Sequence, residues 1–399
     1  MPPRRPVTGR RIAAAIAIIV ATTAIALDEG VRAAHLPAYP VVTTTRVTPY
    51  VAGTTLTWSA FDQVAANGAA GPAQALRLNG VAGGAMGIVQ TGRDDVAGRA
   101  ASWRSADGGR TWVEHLGPEG VDAFGQVVGR RGVLVTTGRS FLSSTDGETW
   151  TPAATGPQAI RTVTLATGPQ GFVAFVRNGS SSVTRVWLSA TGASNSWVAA
   201  PAQSLVASFC PTSVATSSTR VIAIGYDCRV PSRPRVLVST TGRSWSAGTV
   251  PTGLRTSGTY ARPPSVSHVS QRFIVTGANS TQTSTWVWTT TDGRSWRRVS
   301  GMRRVDDWSV DTIVRIFRLG SGWIAIGHRD MPADDAMLVV WRSADLVHWS
   351  RITPAVAGCD ATVRMVSQAA LVRDTLVAVG TPWSIGQSCG ETWMARVAS

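Results

Sequence analysis

Three arginines stand at matching places in successive repeats of one pattern. Arg93, Arg139 and Arg177 each close a short apolar run, two of which read GGAMGIVQTG and RGVLVTTG. A guanidinium offers a rigid fork of N–H donors that grips carboxylate, sulfate or phosphate in pairs. An arc of three at one rim would hold an acidic sugar or the end of an anionic polymer. Later runs end on Tyr226, Ala278, His328 and Thr381, so Tyr226 and His328 join the candidate ligand site. The competing expectation is that the arginines reach to water or pair with Asp94 and Asp95.

Aspartates supply the other possible chemistry. Arg303, Arg304, Asp306, Asp307, Trp308 and Asp311 form one charged segment, and Arg329, Asp330, Asp334 and Asp335 another. Paired carboxylates there could act as acid and base or bind calcium; the plainer expectation is solvated loop charge. The five histidines are scattered singly with no metal-ligand spacing, so no metal and no cofactor are expected.

These residues must be carried by a repeat. The segment SADGGRTW, 105–112, returns as STDGETW, TTDGRSW and SADLVHW, with aspartates at Asp107, Asp146, Asp292 and Asp345. Two further copies replace the acid by Thr191 and Thr241, and the closing tryptophans stand 38 to 53 residues apart. Asp can accept backbone N–H bonds within a tight turn, Gly supplies positive φ, and Trp anchors the turn in apolar surroundings. Between copies lie polar loops and short apolar strands, the runs that end at Arg93 and its counterparts being read as the innermost strand of each unit, with no amphipathic helical period outside the N-terminus. This is the spacing of propeller blades.

The box resembles the Asp-box, or BNR, repeat of sialidase-type propellers, over roughly residues 105–349. The resemblance implies an all-β fold in which the boxes are structural hairpin staples away from any active site. Seven apolar runs predict a seven-bladed β-propeller, with six or eight blades as alternatives. The seventh unit stops at Ser399 before a fourth strand, and TTLTWSAF, 54–61, carries the Thr-Trp pair that would close it. On that frame Cys210 pairs with Cys228 and Cys359 with Cys389, both on the face opposite the boxes, and preformed loops there suit a ligand.

A sialidase would also need an arginine cluster, a Tyr nucleophile with a Glu partner, and an Asp acid/base. The glutamates are Glu29, Glu114, Glu119, Glu148 and Glu391, the blade tyrosines Tyr226 and Tyr260, and the nearest Arg-Ile-Pro counterpart is Arg229-Val230-Pro231. No Tyr/Glu couple emerges, so no catalytic residue is assigned. A hydrolase using the loop aspartates is the alternative to a binding or scaffold module.

The 399 residues carry a formal net charge of +15, with all 38 basic residues arginine. Such charge favours anionic partners: a polysaccharide, a lipid surface, or another envelope protein. The arginines are scattered, without a recognition helix or zinc-finger spacing, so nucleic acid is not expected. Four arginines precede an apolar run from Ile12 to Leu27, which reads as a signal peptide or signal anchor over residues 1–32. Residues 33–50 read as an extended linker and 51–399 as the propeller. The expected product is a monomer, secreted or held at the outer side of the cytoplasmic membrane, touching the membrane only through its N-terminal segment.

Overall fold

The computed structural model describes residues 39–40, 43–46, 55–61, 77–95, 97–157, 160–178, 183–254, 263–278, 284–303, 311–330, 336–352, 362–363, 365–381 and 392–398. The N-terminal run, Tyr260, Cys359, Cys389 and the loop residues Arg304, Asp306, Asp307, Trp308, Asp334 and Asp335 lie outside them.

The chain from Tyr39 onward forms seven antiparallel sheets, a seven-bladed β-propeller. The first strands of blades 1 to 7 are Arg77–Gly84, Val128–Arg130, Ile160–Gly168, Phe209–Thr216, Ser265–Val269, Thr312–Leu319 and Met365–Val372. Each touches the first strand of the next blade, and that of blade 7 touches that of blade 1. Thr55–Phe61 pairs antiparallel with Thr392–Ala398 from register Thr55/Ala398 to Phe61/Thr392, so an early strand and the last described strand share blade 7.

Seven separate apolar clusters hold the ring, one between each pair of neighbouring blades. The cluster joining blade 7 to blade 1 contains Leu78, Trp103, Trp112, Val372, Val377 and Met394. The last interface is therefore as dry as the others, and the sheet edges that would otherwise seek partners are covered.

Each box turn is built as its residues require. In blade 2, Asp146 Oδ1 accepts N–H bonds from Glu148 and Thr149 and the Ser144 hydroxyl, all at 2.8 Å. Asp107, Asp292 and Asp345 repeat this arrangement. Burial alone would raise the Asp146 carboxyl, but the hydrogen bonds prevail and hold it at about 2. Gly147 has φ +80°, and a Cβ there would meet Val89 of blade 1 at 2.5 Å. Blade 6 has Leu346 at this place with φ +69° and its side chain buried, so packing in the interface offsets the strain.

Three details depart from the expected layout. The apolar runs ending at Arg93, Arg177, Tyr226 and His328 are second strands, not innermost ones. The innermost strands face water in the channel, and those of blades 1, 3, 4, 6 and 7 are interrupted by register shifts, which hides their period. The stretch read as a linker contributes two added strands: Tyr39–Pro40 beside Thr111 and Trp112, and Thr43–Arg46 beside Thr57–Ala60. Thr-rich, β-branched chain meeting an open sheet edge extends that sheet. A single helical turn, Ser204–Ala207, precedes blade 4.

Candidate functional site

The first strands meet around a central channel whose wall is tied together blade to blade. Gln126 Oε1 accepts the Leu165 N–H of blade 3, Ser213 Oγ the Val266 N–H of blade 5, and Ser267 Oγ the Ile316 N–H of blade 6. His328 Nδ1 accepts the Val366 N–H of blade 7 at 3.3 Å. Gln368 of blade 7 spans further, accepting from Val81 and Val127 and donating to the Val127 carbonyl. Edge groups that would be costly to leave unpaired are thus satisfied across the joints.

Two cavities lie along the channel where described residues line it. The one toward strand starts, on the face opposite the boxes, measures about 390 Å³, and the one toward the boxes about 360 Å³. Gln126, Val214, Val266, Arg315 and Gln368 border both and form the waist between them. Arg315 follows a register shift between Ile313 and Arg315 in its strand. Equivalent shifts occur at Leu78/Gly80, Pro211/Ser213 and Val366/Gln368. A bulge of this kind re-aims the side chains beyond it. Arg315 is enclosed by the blades yet accessible to channel water, and desolvation draws its pKa down.

The rim arginines are placed differently from one another. Arg93 Nε lies 2.7 Å from Asp95 Oδ1, and Asp95 Oδ2 lies 3.4 Å from Arg77 Nε. Arg139 is open to solvent and reaches Asp122 Oδ2 at 3.2 Å; the Asp122 carbonyl accepts from Arg93 at 3.3 Å. Arg177 Nη1 lies 2.9 Å from Cys210 Sγ. Cys210 is bonded to Cys228 on the face opposite the boxes. Arg93, Arg139 and Arg77 therefore make one cluster over blades 1 and 2, while Arg177 rests against the disulfide. Tyr226 pairs with Cys210 in the same sheet, Ala278 is buried in blade 5, and His328 turns inward to the channel wall.

The reading of Asp311 and Arg329 as solvated charge on separate loops is corrected. Both side chains are 3% exposed, with Arg329 Nε 2.7 Å from Asp311 Oδ1. Trp341 Nε1 donates to Asp311 Oδ2 at 2.7 Å. Arg329 belongs to a strand rather than a loop, and desolvation forces such charges to find each other. Asp311 is thereby a structural tie rather than a free acid.

Sequence reasoning passed over Arg315, Gln126 and Gln368. The available signal was Arg315 in the middle of the otherwise apolar TIVRIF part of TIVRIFRL, whose second arginine, Arg318, stands near the strand end; a charge there is buried unless water lies on that side. It also passed over Glu114. Burial pushes the Glu114 carboxyl up to about 8, and the neighbouring Asp94 charge and their shared hydrogen bond add to this. The group holds its proton at neutral pH in the folded state and releases it when unfolded, where it starts from 4.5. The folded state thus binds more protons, and stability falls as pH rises from about 4.5 through about 8. Glu114→Gln removes this dependence. The variant is expected to melt above the unaltered protein at alkaline pH and to converge with it in mild acid, as thermal melts across pH would record. Parallel pH profiles for the two proteins would contradict the assignment.

No protein-family model matches the chain, and no curated protein matches it. Among solved structures it is similar to a protein from Lactobacillus plantarum, at 12% identity over 82% of this chain and 97% of that one, TM-score 0.47. It is similar also to the six-bladed, fucose-recognising lectin of Aleuria aurantia, at 11% identity over 80% and 98%, TM-score 0.42. The endosialidase of phage phi92 matches at 11% identity over 90% of this chain and 67% of that one, TM-score 0.42.

Proposed function

We infer that this propeller is an exported or membrane-tethered, non-catalytic module that binds an acidic polysaccharide of the cell envelope. The observation that carries the reading is the cluster of Arg77, Arg93 and Arg139 over blades 1 and 2. Arg77 and Arg139 keep 60% and 72% of their side-chain surface in solvent. Asp95 and Asp122 fix their positions without covering them, and the net charge of +15 adds long-range attraction. The Cys210–Cys228 bond is what an oxidising compartment favours. The rival hydrolase would draw on loop aspartates, and Asp311 is already committed to Arg329 and Trp341.

Retention on immobilised polygalacturonate is the direct test, with neutral dextran as reference. Retention on the acidic polymer alone, weakening with added salt, is the expected result, because exposed ion pairs are screened. Changing Arg77, Arg93 and Arg139 together to alanine should release most of the protein. Undiminished retention of that triple variant would overturn the reading.

A further inference from the structure

The geometry points to a second site: the central channel seats a single oxyanion group, carboxylate or phosphate, against Arg315. This goes beyond the polymer-binding rim, since it lies inside the ring on other residues.

Arg315 forms no ion pair or hydrogen bond with any described residue, and its one contact of note is the Phe317 ring, 5.8 Å from its Cζ. Neither cavity has an Asp or Glu among its described lining residues. A guanidinium stays charged at any physiological pH. Among the described residues the channel wall therefore offers this cation no counter-charge, and an anion entering the channel would meet it unopposed.

Hydrogen-bonding capacity also stands unused on the channel wall. Thr312 and Ser367, which line the cavity toward the strand starts, have hydroxyl oxygens that are buried without a partner. Buried hydroxyls are ordinarily satisfied, so these two, on the wall of a cavity that Arg315 also borders, keep donors that an oxyanion in that cavity could use. By contrast Gln126, Ser213 and Gln368 are occupied with blade-to-blade bonds. They set the shape of the site and keep it preorganised.

Cavities of about 390 and 360 Å³ on either side of the waist fall in the range of small-molecule sites. Each accepts a group of monosaccharide size. A sugar acid and a phosphate ester share the chemistry that Arg315 recognises, and the probes separate them.

Calorimetric titration of the full chain with glucuronate, inorganic phosphate and glucose tests the assignment. At least one anion is expected to bind while neutral glucose does not, and the tighter anion names the source. Arg315→Gln should weaken that binding by roughly tenfold or more, the loss of a charge-assisted contact. Arg315→Lys should retain part of it, and the triple rim variant should match the unaltered protein. A crystal soaked in arsenate should show anomalous density beside Arg315, a result independent of whether any variant folds. Silence of both anions, equal binding of glucose, unchanged binding by Arg315→Gln, or loss in the rim variant would each overturn the site. Because the polygalacturonate assay reads the rim alone, either site can fall without the other.

Discussion

Replacing Asp311 by alanine is expected to lower the unfolding free energy by about 3–5 kcal/mol, the cost of leaving a buried partner charge uncompensated. Asp311 directly precedes the first strand of blade 6, and its carboxylate gathers the other three. Arg329 on the second strand lies 2.7 Å away, Trp341 on the third donates its indole N–H at 2.7 Å, and Arg351 on the fourth lies 4.0 Å away. The Asp311 carbonyl also accepts the Thr285 hydroxyl of blade 5. Removing the carboxylate takes this partner from Arg329, which is 2% exposed, so solvent has little access to stand in for it. Asp311→Asn keeps the shape and should cost less. The double variant Asp311→Ala, Arg329→Met should recover a large part of the loss, since it removes the orphaned charge. Denaturant titration followed by tryptophan emission reads all three, with Trp341 reporting from within the network. A loss below about 1 kcal/mol for Asp311→Ala would mean that water reaches Arg329 and that the tie is ornamental.

The sequence was most informative where chemistry and backbone geometry coincide. A turn that needs an acceptor, a positive φ and an apolar plug leaves a residue code, so Asp107, Asp146, Asp292 and Asp345 could be read as turn fasteners and their spacing as blades. The second strands were equally plain, because runs such as RVIAIGYD are buried on both faces between neighbouring sheets. The first strands were not. RLNGVAGG, FCPTSVAT and MVSQAALV carry polar residues toward channel water and slip register midway, so neither period two nor continuous burial shows. Rim residues assigned to the innermost strands consequently belong one strand further out, and Arg315, which does face the channel, went unmarked.

Charged residues were the least legible. Asp311 and Arg329 are 18 positions apart in segments that both look like solvated loops, and no local pattern says that one blade folds them together. Glu114 lies in TWVEHL two residues after the buried Trp112, so it shares that inward face of the strand, where a charged residue is out of place. Its burial beside Asp94 is a product of sheet stacking, which a one-dimensional period does not encode. The same holds for Arg77 and Arg93, paired across two strands and joined by Asp95. Electrostatic partners are set by tertiary proximity, so sequence limits which charges exist and leaves open which ones meet.

Within the box, the tryptophan is expected to outweigh the aspartate that gives the motif its appearance. Trp150 is 5% exposed and packs against Phe124, 5.1 Å between ring centroids, in the cluster that joins blades 1 and 2. Its indole N–H donates to Ser102 Oγ of blade 1 at 2.9 Å, and that hydroxyl donates to the Gly147 carbonyl. Trp150→Ala opens a large void at an interface with no slack and should cost about 3–5 kcal/mol. Trp150→Phe keeps most of the packing and should cost about 1 kcal/mol, for the lost hydrogen bond. Asp146 works at an exposed turn, so Asp146→Ala should cost only about 1 kcal/mol despite its several bonds. The two costs also differ in pH response. The Asp146 carboxyl is depressed from 3.8 to about 2, so its contribution is complete above 3.8 and disappears as pH falls through about 2. The Trp150 deficit rests on apolar packing and should persist throughout. Denaturant midpoints at neutral pH and near pH 2 for the three variants distinguish these roles. An Asp146→Ala loss as large as that of Trp150→Ala would mean that turn geometry, rather than the plug between blades, holds the ring.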